Sequence, residues 1–190
     1  MLEDKIEKSK RTLRLAAEMS KTYYGDKLII CYSGGKDSDV LLHLAESCLT
    51  PDDFEVLNSH TTVDAPATVY HIRETIERLR GNGITANISQ QKYKEVEGER
   101  YTEYRKSLNG KSVTMWNLIP LKSLPPTRTV RYCCSVLKET ATPNRMAALG
   151  VRAAESTKRQ GRDTFGVRGG HTGRLNFFHL TMRRKCIAKR

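Results

Sequence analysis

The 190-residue chain has no apolar run approaching the roughly 18 consecutive residues that a bilayer-crossing helix needs, so no membrane span is expected. Its opening stretch, MLEDKIEKSKRTLRLAAEMSKTYYG, mixes both charge signs and contains no apolar block. A secretory leader is therefore not expected, and the cytoplasm is the expected compartment. Cysteine is sparse: five residues, two of them adjacent, with no Cys-x-x-Cys pair. That excludes a disulfide framework and leaves reduced thiols or a metal site. Aromatic residues make up 7% of the chain, with one tryptophan. There is no internal repeat and no low-complexity stretch, which excludes a solenoid.

Positive charge is abundant. The formal net charge is +12. From Val151 to Arg190 there are 11 Lys or Arg against 2 Asp or Glu, so this segment holds +9 and the first 150 residues about +3. Such a segment either tracks the phosphates of a nucleotide or nucleic acid or forms a solvated face.

The hydrophobic pattern alternates between helical and strand periods. Leu2 to about Tyr23 reads as a helix with Leu2, Ile6, Leu13, Ala16, Met19 and Tyr23 near one face. Lys27–Tyr32 (KLIICY) reads as a strand buried on both sides. Asp39–Ser47 reads as a helix with Val40, Leu41, Leu44 and Ala45 turned inward, and Phe54–Asn58 as a second strand. A helix over about Ala67–Arg80 carries Val69, Ile72, Ile76 and Leu79, and Gly81-Asn82-Gly83 ends it as a left-handed cap does. Ile84–Ile88 follows as a third strand, Gln90–Asn109 as helix plus exposed loop, Leu124–Thr127 as a rigid break and Met146–Val151 as a further strand. Strand and helix in alternation predict an α/β fold: a three-layer sandwich around a parallel sheet.

The first strand runs into Ser33-Gly34-Gly35-Lys36-Asp37-Ser38 and then into a helix. Ligands of open parallel sheets bind beyond the carboxyl ends of the strands, where this segment lies. Gly34 and Gly35 allow a sharp turn and close approach of a bound group. The amides that follow belong to a helix N-terminus, which attracts anions. Lys36 adds a full positive charge, and Ser33 and Ser38 add hydroxyl donors. The set suits phosphate, sulfate or pyrophosphate, with Asp37 capping the helix or touching magnesium. The GxxxxGK[ST] phosphate loop does not match, since Ile30 and Asp37 occupy its first glycine and its hydroxyl position; GxGxxG is also missing here. The competing reading is an empty strand–turn–helix.

SGGKDS after an apolar strand resembles the pyrophosphate loop of the adenine-nucleotide alpha-hydrolase-like superfamily, which includes PP-loop ATP pyrophosphatases and sulfonucleotide reductases. Three later blocks resemble the phosphoadenylyl sulfate (PAPS) reductase family in the right order. Thr61–Ile72 (TTVDAPATVYHI) is similar to its TG-x-x-x-PET segment, with Thr62, Asp64, Pro66 and Thr68 as counterparts. Trp116–Glu139 is similar to a block pairing PPT and Arg with Cys-Cys and a following lysine. Leu149–Arg159 (LGVRAAESTKR) is similar to its G-x-R-x-x-ES-x-x-R block.

The resemblance implies a Rossmann-like nucleotide-binding domain over 1–160 and a basic segment over 161–190, with a C-terminus shorter than is usual in the family. It implies ATP, PAPS or adenylyl sulfate held by Ser33, Gly34, Gly35, Lys36, Asp37, Ser38, Asp64, Arg128, Arg131, Gly150, Arg152, Glu155, Ser156 and Arg159. Lys36 and Asp37 are the expected catalytic groups, with magnesium as an accompanying ion. Some relatives bind an iron–sulfur cluster through Cys-Cys plus a later Cys-x-x-Cys; here Cys133 and Cys134 match, and the remaining ligands have no counterpart. Reductases of the family attack sulfur with a cysteine near the C-terminus and use a thioredoxin-like reductant. Cys186, in RRKCI, is the one late cysteine, and its surroundings differ from the family's Glu-Cys-Gly-Leu-His motif. Neighbouring cations favour its thiolate. Three functions stay open: sulfonucleotide reduction or sulfur transfer; ATP pyrophosphatase chemistry for sulfur insertion into tRNA or DNA, which the basic segment suits; and a non-catalytic nucleotide-binding remnant.

Overall fold

The computed structural model describes residues 2–127, 129–130, 132–138, 145–152 and 165, and the backbone of three short strands at 168–169, 175–176 and 181–182. The chain divides into two compact units, one made of 1–58, 67–87 and 142–190, the other of 59–66 and 88–141.

The first unit is built on a sheet. Helix α1 (Leu2–Tyr24) leads into β1 (Leu28–Cys31), α2 (Lys36–Cys48), β2 (Phe54–Ser59), α3 (Pro66–Gly81) and β3 (Ala86–Ser89); β4 (Ala147–Leu149) comes much later in the chain. The sheet order is β3-β2-β1-β4. Both neighbours of β1 run parallel to it, with Ile30 opposite Val56 and Ala148. The β2–β3 pairing keeps the same sense, since Val56 N–H donates to Thr85 O and His60 N–H to Ser89 O. The α/β expectation holds: this is a parallel four-stranded sheet with flanking helices.

Burial explains why the apolar run became the central strand. Leu28, Ile29 and Ile30 are all buried, and successive strand residues point to opposite faces, so both faces are covered at β1. Leu28 and Ile30 join Phe54, Val56, Leu41, Ala45, Ile72, Ile76 and Leu79 in one core, to which α1 adds Leu13, Ala16 and Ala17. β2 alternates buried and half-buried residues instead.

Three details differ from expectation. α2 begins at Lys36, three residues before its apolar periodicity, because Ser38 bonds back to the N-cap at Gly35. Val40 is exposed and Leu42 takes the inward position. Leu2 and Tyr23, at the two ends of α1, are exposed rather than packed. The Gly81-Asn82-Gly83 stop behaves as read, with Gly83 at φ +77°.

The second unit has little regular structure. It holds α4 (Glu103–Lys106), α5 (Met115–Lys122) and α6 (Tyr132–Leu137), of which the last two were not legible in the sequence. Thr114 caps α5 by accepting from Asn117 N–H, and Pro120 lies inside it. Val113, Met115, Leu118, Tyr132 and Leu137 form its small core. In the first unit, residues 151–152 (β5) pair in parallel with 181–182 (β8), and 168–169 (β6) antiparallel with 175–176 (β7). Among the described residues no helix is long and apolar enough to cross a membrane.

Candidate functional site

Where β1 ends, the backbone turns within two glycines. Gly34 has φ +69°, a conformation that side-chain-bearing residues rarely adopt. A Cβ there would also stand 2.6 Å from Ile72 Cγ1 and 3.2 Å from Thr68 Cγ2, so the turn is pressed against α3. Gly35 is different. It has φ −101° and ψ 155°, ordinary extended values, and a Cβ would meet only Ser33 Oγ at 3.7 Å. The fold requires a glycine at 34 and not at 35.

Ser38 organises the turn from inside. It is buried; its Oγ accepts from Gly35 N–H at 3.1 Å and from Ser33 Oγ at 3.2 Å, and donates to Gly35 O at 2.7 Å. The first helical bond of α2 runs from Asp39 N–H to Gly35 O. The amides before that bond lie in the first turn, which directs N–H groups toward the N-terminal side of a helix. Ser33, Gly35 and Lys36 are exposed and Asp37 half-buried, so solvent reaches this turn. Partial positive charge from the helix start and the full charge of Lys36 thus stand on one open turn.

Gly150 closes on the same place from β4. A Cβ there would meet Asp37 O at 2.6 Å and Ser38 N at 3.3 Å. The backbone that carries the GVR block therefore packs directly on the first turn of α2. The structure brings Ser33, Gly34, Gly35, Lys36, Asp37, Ser38 and Gly150 together within one unit.

The other expected residues fall elsewhere. Asp64 lies in the second unit, where its Oδ2 accepts from buried Thr61 Oγ1 at 2.5 Å; nearby, Thr62 has φ +64° and its Oγ1 accepts from Met115 N–H. Cys133 is half-buried in α6, beside Cys134. Arg152 is on β5. Arg128, Arg131, Glu155, Ser156, Arg159 and Cys186, and the side chains of Cys134 and Arg152, lie outside the described residues.

The thiols test the iron–sulfur expectation. Burial pushes the Cys31 thiol up to about 12 and also raises that of Cys48, which reaches only the Lys10 carbonyl. Both are packed thiols, protonated at neutral pH. Among the described residues no three His, Cys, Asp or Glu side chains converge as metal ligands.

Sequence reading missed one group beside the turn. Tyr32, buried at the end of β1, donates its hydroxyl to Asp39 Oδ1 at 2.6 Å. His71 Nε2 lies 2.9 Å from Tyr32 Oη and 3.3 Å from Asp39 Oδ1, and Thr75 Oγ1 lies 3.3 Å from Tyr32 Oη. Tyr32 and Asp39 lie just outside SGGKDS, and His71 is not one of the counterparts in its block; they meet because α2 and α3 are neighbours.

Three comparisons with known proteins bear on this geometry. No curated protein matches the chain. A solved structure, that of Candida glabrata FMN adenylyltransferase, is similar at 12% identity with a TM-score of 0.41. The match covers 93% of this chain and 50% of that one, so the chain spans about half the length of the solved protein. The family model described as the phosphoadenosine phosphosulfate reductase domain matches residues 27–181, a span that contains β1, the glycine turn, α2 and Gly150. By that match the chain belongs to the phosphoadenosine phosphosulfate reductase domain family.

Proposed function

We propose that the chain binds an adenine nucleotide, ATP or a sulfonucleotide, with its phosphates on the Ser33–Ser38 turn, and acts in sulfonucleotide reduction or sulfur transfer. One observation carries this reading. Gly35 is a glycine that the fold does not need, at an exposed helix start beside Lys36 and inside the family match. A site where a Cβ would fit the protein but fill the cradle is what close approach of an anion asks for.

The residues divide the work by their chemistry. The amides around Gly35 and the Lys36 ammonium offset phosphate charge. Ser38 ties the turn together through its hydroxyl, and Gly150 packs on the first turn of α2. Asp37 is the carboxylate that would hold a magnesium ion, which would offset phosphate charge. Arg128, Arg131, Arg152 and Arg159 are assigned to phosphate or sulfate oxygens, with Glu155 and Ser156 orienting that second group.

Two reactions use such a cradle. In ATP cleavage a nucleophile attacks the α-phosphorus and pyrophosphate departs, its charge held by the turn. In sulfonucleotide reduction a thiolate attacks the sulfur and the nucleotide departs; Cys186 is the cysteine assigned to that attack, with a thioredoxin-like dithiol resolving the adduct. The +9 of residues 151–190 favours an anionic partner and keeps a nucleic-acid substrate for sulfur insertion as the second reading.

Isothermal titration with ATP, adenylyl sulfate and PAPS tests the proposal, with Lys36→Ala beside the natural chain. Binding of at least one nucleotide, weakened about tenfold or more by the substitution, is expected from loss of a charge-assisted contact. Unchanged affinity for all three sinks the placement on this turn. Release of pyrophosphate from ATP then separates the two reactions.

A further inference from the structure

Ser33–Ser38 is flanked by two residues that are bonded to each other. Tyr32 precedes the turn and Asp39 follows it, and the Tyr32 hydroxyl donates to Asp39 Oδ1 at 2.6 Å. A side-chain bond thus closes the six-residue turn across its base. His71 and Thr75 from α3 complete the group, with His71 Nε2 in reach of both oxygens.

Each end of this bond is itself fixed. Tyr32 N–H donates to Leu57 O, and buried Asn58 Nδ2 donates to Tyr32 O at 2.8 Å. Asp39 N–H is held by Gly35 O. Burial and the Asp39 carboxylate push the Tyr32 phenol up to about 12, so it remains a donor at neutral pH. His71 contributes from the solvent side, its side chain 48% exposed.

We propose that Tyr32, Asp39 and His71 form a clamp that pre-sets the Ser33–Ser38 turn for phosphate binding, making them positioning residues for the nucleotide. The inference rests on the nucleotide reading above and adds residues outside the motif. A turn held in its bound shape loses less conformational freedom when the ligand arrives, so the clamp appears in affinity. Removing one hydrogen bond to the carboxylate weakens binding about tenfold, the range of a charge-assisted bond.

The test is titration of the full chain with ATP, adenylyl sulfate and PAPS, with inorganic pyrophosphate as competing probe. Variants are Tyr32→Phe, His71→Ala, His71→Gln and Lys36→Ala. His71→Gln keeps an N–H donor near the Nε2 position. Glu46→Gln is the control: it weakens the bidentate Arg78–Glu46 pair on the same α2–α3 seam and removes none of the hydrogen bonds of the clamp. Expected are weaker binding for Tyr32→Phe and His71→Ala, recovery of most of the loss in His71→Gln, and natural affinity in Glu46→Gln despite any fall in melting temperature. Should Tyr32→Phe fail to fold, the His71 pair decides, since that side chain is half exposed. The clamp is overturned if Lys36→Ala weakens binding while Tyr32→Phe and His71→Ala bind like the natural chain. It is also overturned if Glu46→Gln loses as much affinity as they do, which marks a general loosening of the seam. If the natural chain binds none of the probes, the nucleotide reading fails and the clamp with it.

Discussion

At the scale of single residues, three glycines at one site, two on the turn and one packed against it, answer to different constraints. Gly34→Ala combines a left-handed φ with a contact against the buried, branched Ile72, and a cost of about 2–4 kcal/mol is expected. Pairing it with Ile72→Ala relieves the clash but not the backbone strain. The double variant should therefore be more stable than the two separate losses add up to, by about 1 kcal/mol in denaturant melts. Strict additivity contradicts the packing described here. Gly35→Ala should cost under about 1 kcal/mol, the difference between glycine and alanine at an N-cap, while weakening nucleotide binding; calorimetry and a thermal melt on one sample read both. Gly150 meets the backbone of Asp37, which no side-chain change relieves. Much of this was legible: SGGKDS and the GVR block are short, ordered motifs. Tyr32, Asp39 and His71 were not, because a hydrogen-bonded group drawn from a strand and two helices leaves no periodic trace. The cysteines close the residue scale. With its thiol near 12, Cys31 should resist alkylation at mildly alkaline pH until the chain unfolds, and mass spectrometry of labelled peptides tests it.

At the scale of elements, polar ties fix where helices and strands begin. Lys21 near the end of α1 pairs with Asp53 at 2.6 Å, and Asp53 also accepts from Thr50 N–H and Thr50 Oγ1 at 2.7 Å, shaping the turn into β2. The Lys21 bond first, and the Thr50 backbone bond second, lower the Asp53 carboxyl from 3.8 to about 2. A carboxyl lowered by folding adds stability above its unfolded value, and that stability is lost as pH falls through the folded one. The advantage of the natural chain over Asp53→Asn should thus shrink between pH 3.8 and about 2, as melting curves across that window would show. Arg145 makes the corresponding tie before β4: Nη1 meets Glu55 at 2.5 Å, Nη2 donates to Lys27 O at 2.9 Å, and Nε lies 3.3 Å from Asp26 Oδ2. Arg145→Met leaves half-buried Glu55 without its cation, and a loss of about 2 kcal/mol is expected in urea melts. Long apolar periods made α1, β1, α2 and α3 readable. α5 was hidden by Pro120, and α6 by its six-residue length.

At the scale of the molecule, the two units are held by unequal means. Among the described residues the sheet-centred unit has 19 buried residues in a single core, drawn from three helices and all four strands of the sheet. The core of the other unit has five among the described residues, and that unit leaves Val63, Trp116, Leu124 and Val130 exposed. Much of its shape comes from side-chain bonds to backbone: Asn109 bridges Val96, and Arg105 donates to Lys94 O while lying 5.1 Å over the Tyr93 ring. This is also why it was hard to read. A polar stretch folded by such bonds carries no hydrophobic period, whereas the sheet-centred unit announces each element by one. Regions with few buried apolar contacts and exposed backbone bonds open at lower free energy than a continuous core. Native-state hydrogen exchange should therefore show amides of β1 and α2 exchanging last and together. Amides of α5, and those of Tyr93 and Val113 on either side of the Lys92–Ser112 bridge, should exchange about tenfold or more faster. Sub-denaturing urea ought to bring the slow amides toward the fast ones, since global unfolding exposes more surface than the small unit's opening and falls more steeply with denaturant. If α5 is protected as strongly as β1 from the outset, the two units unfold as one, and the five-residue core is not the weaker of the pair.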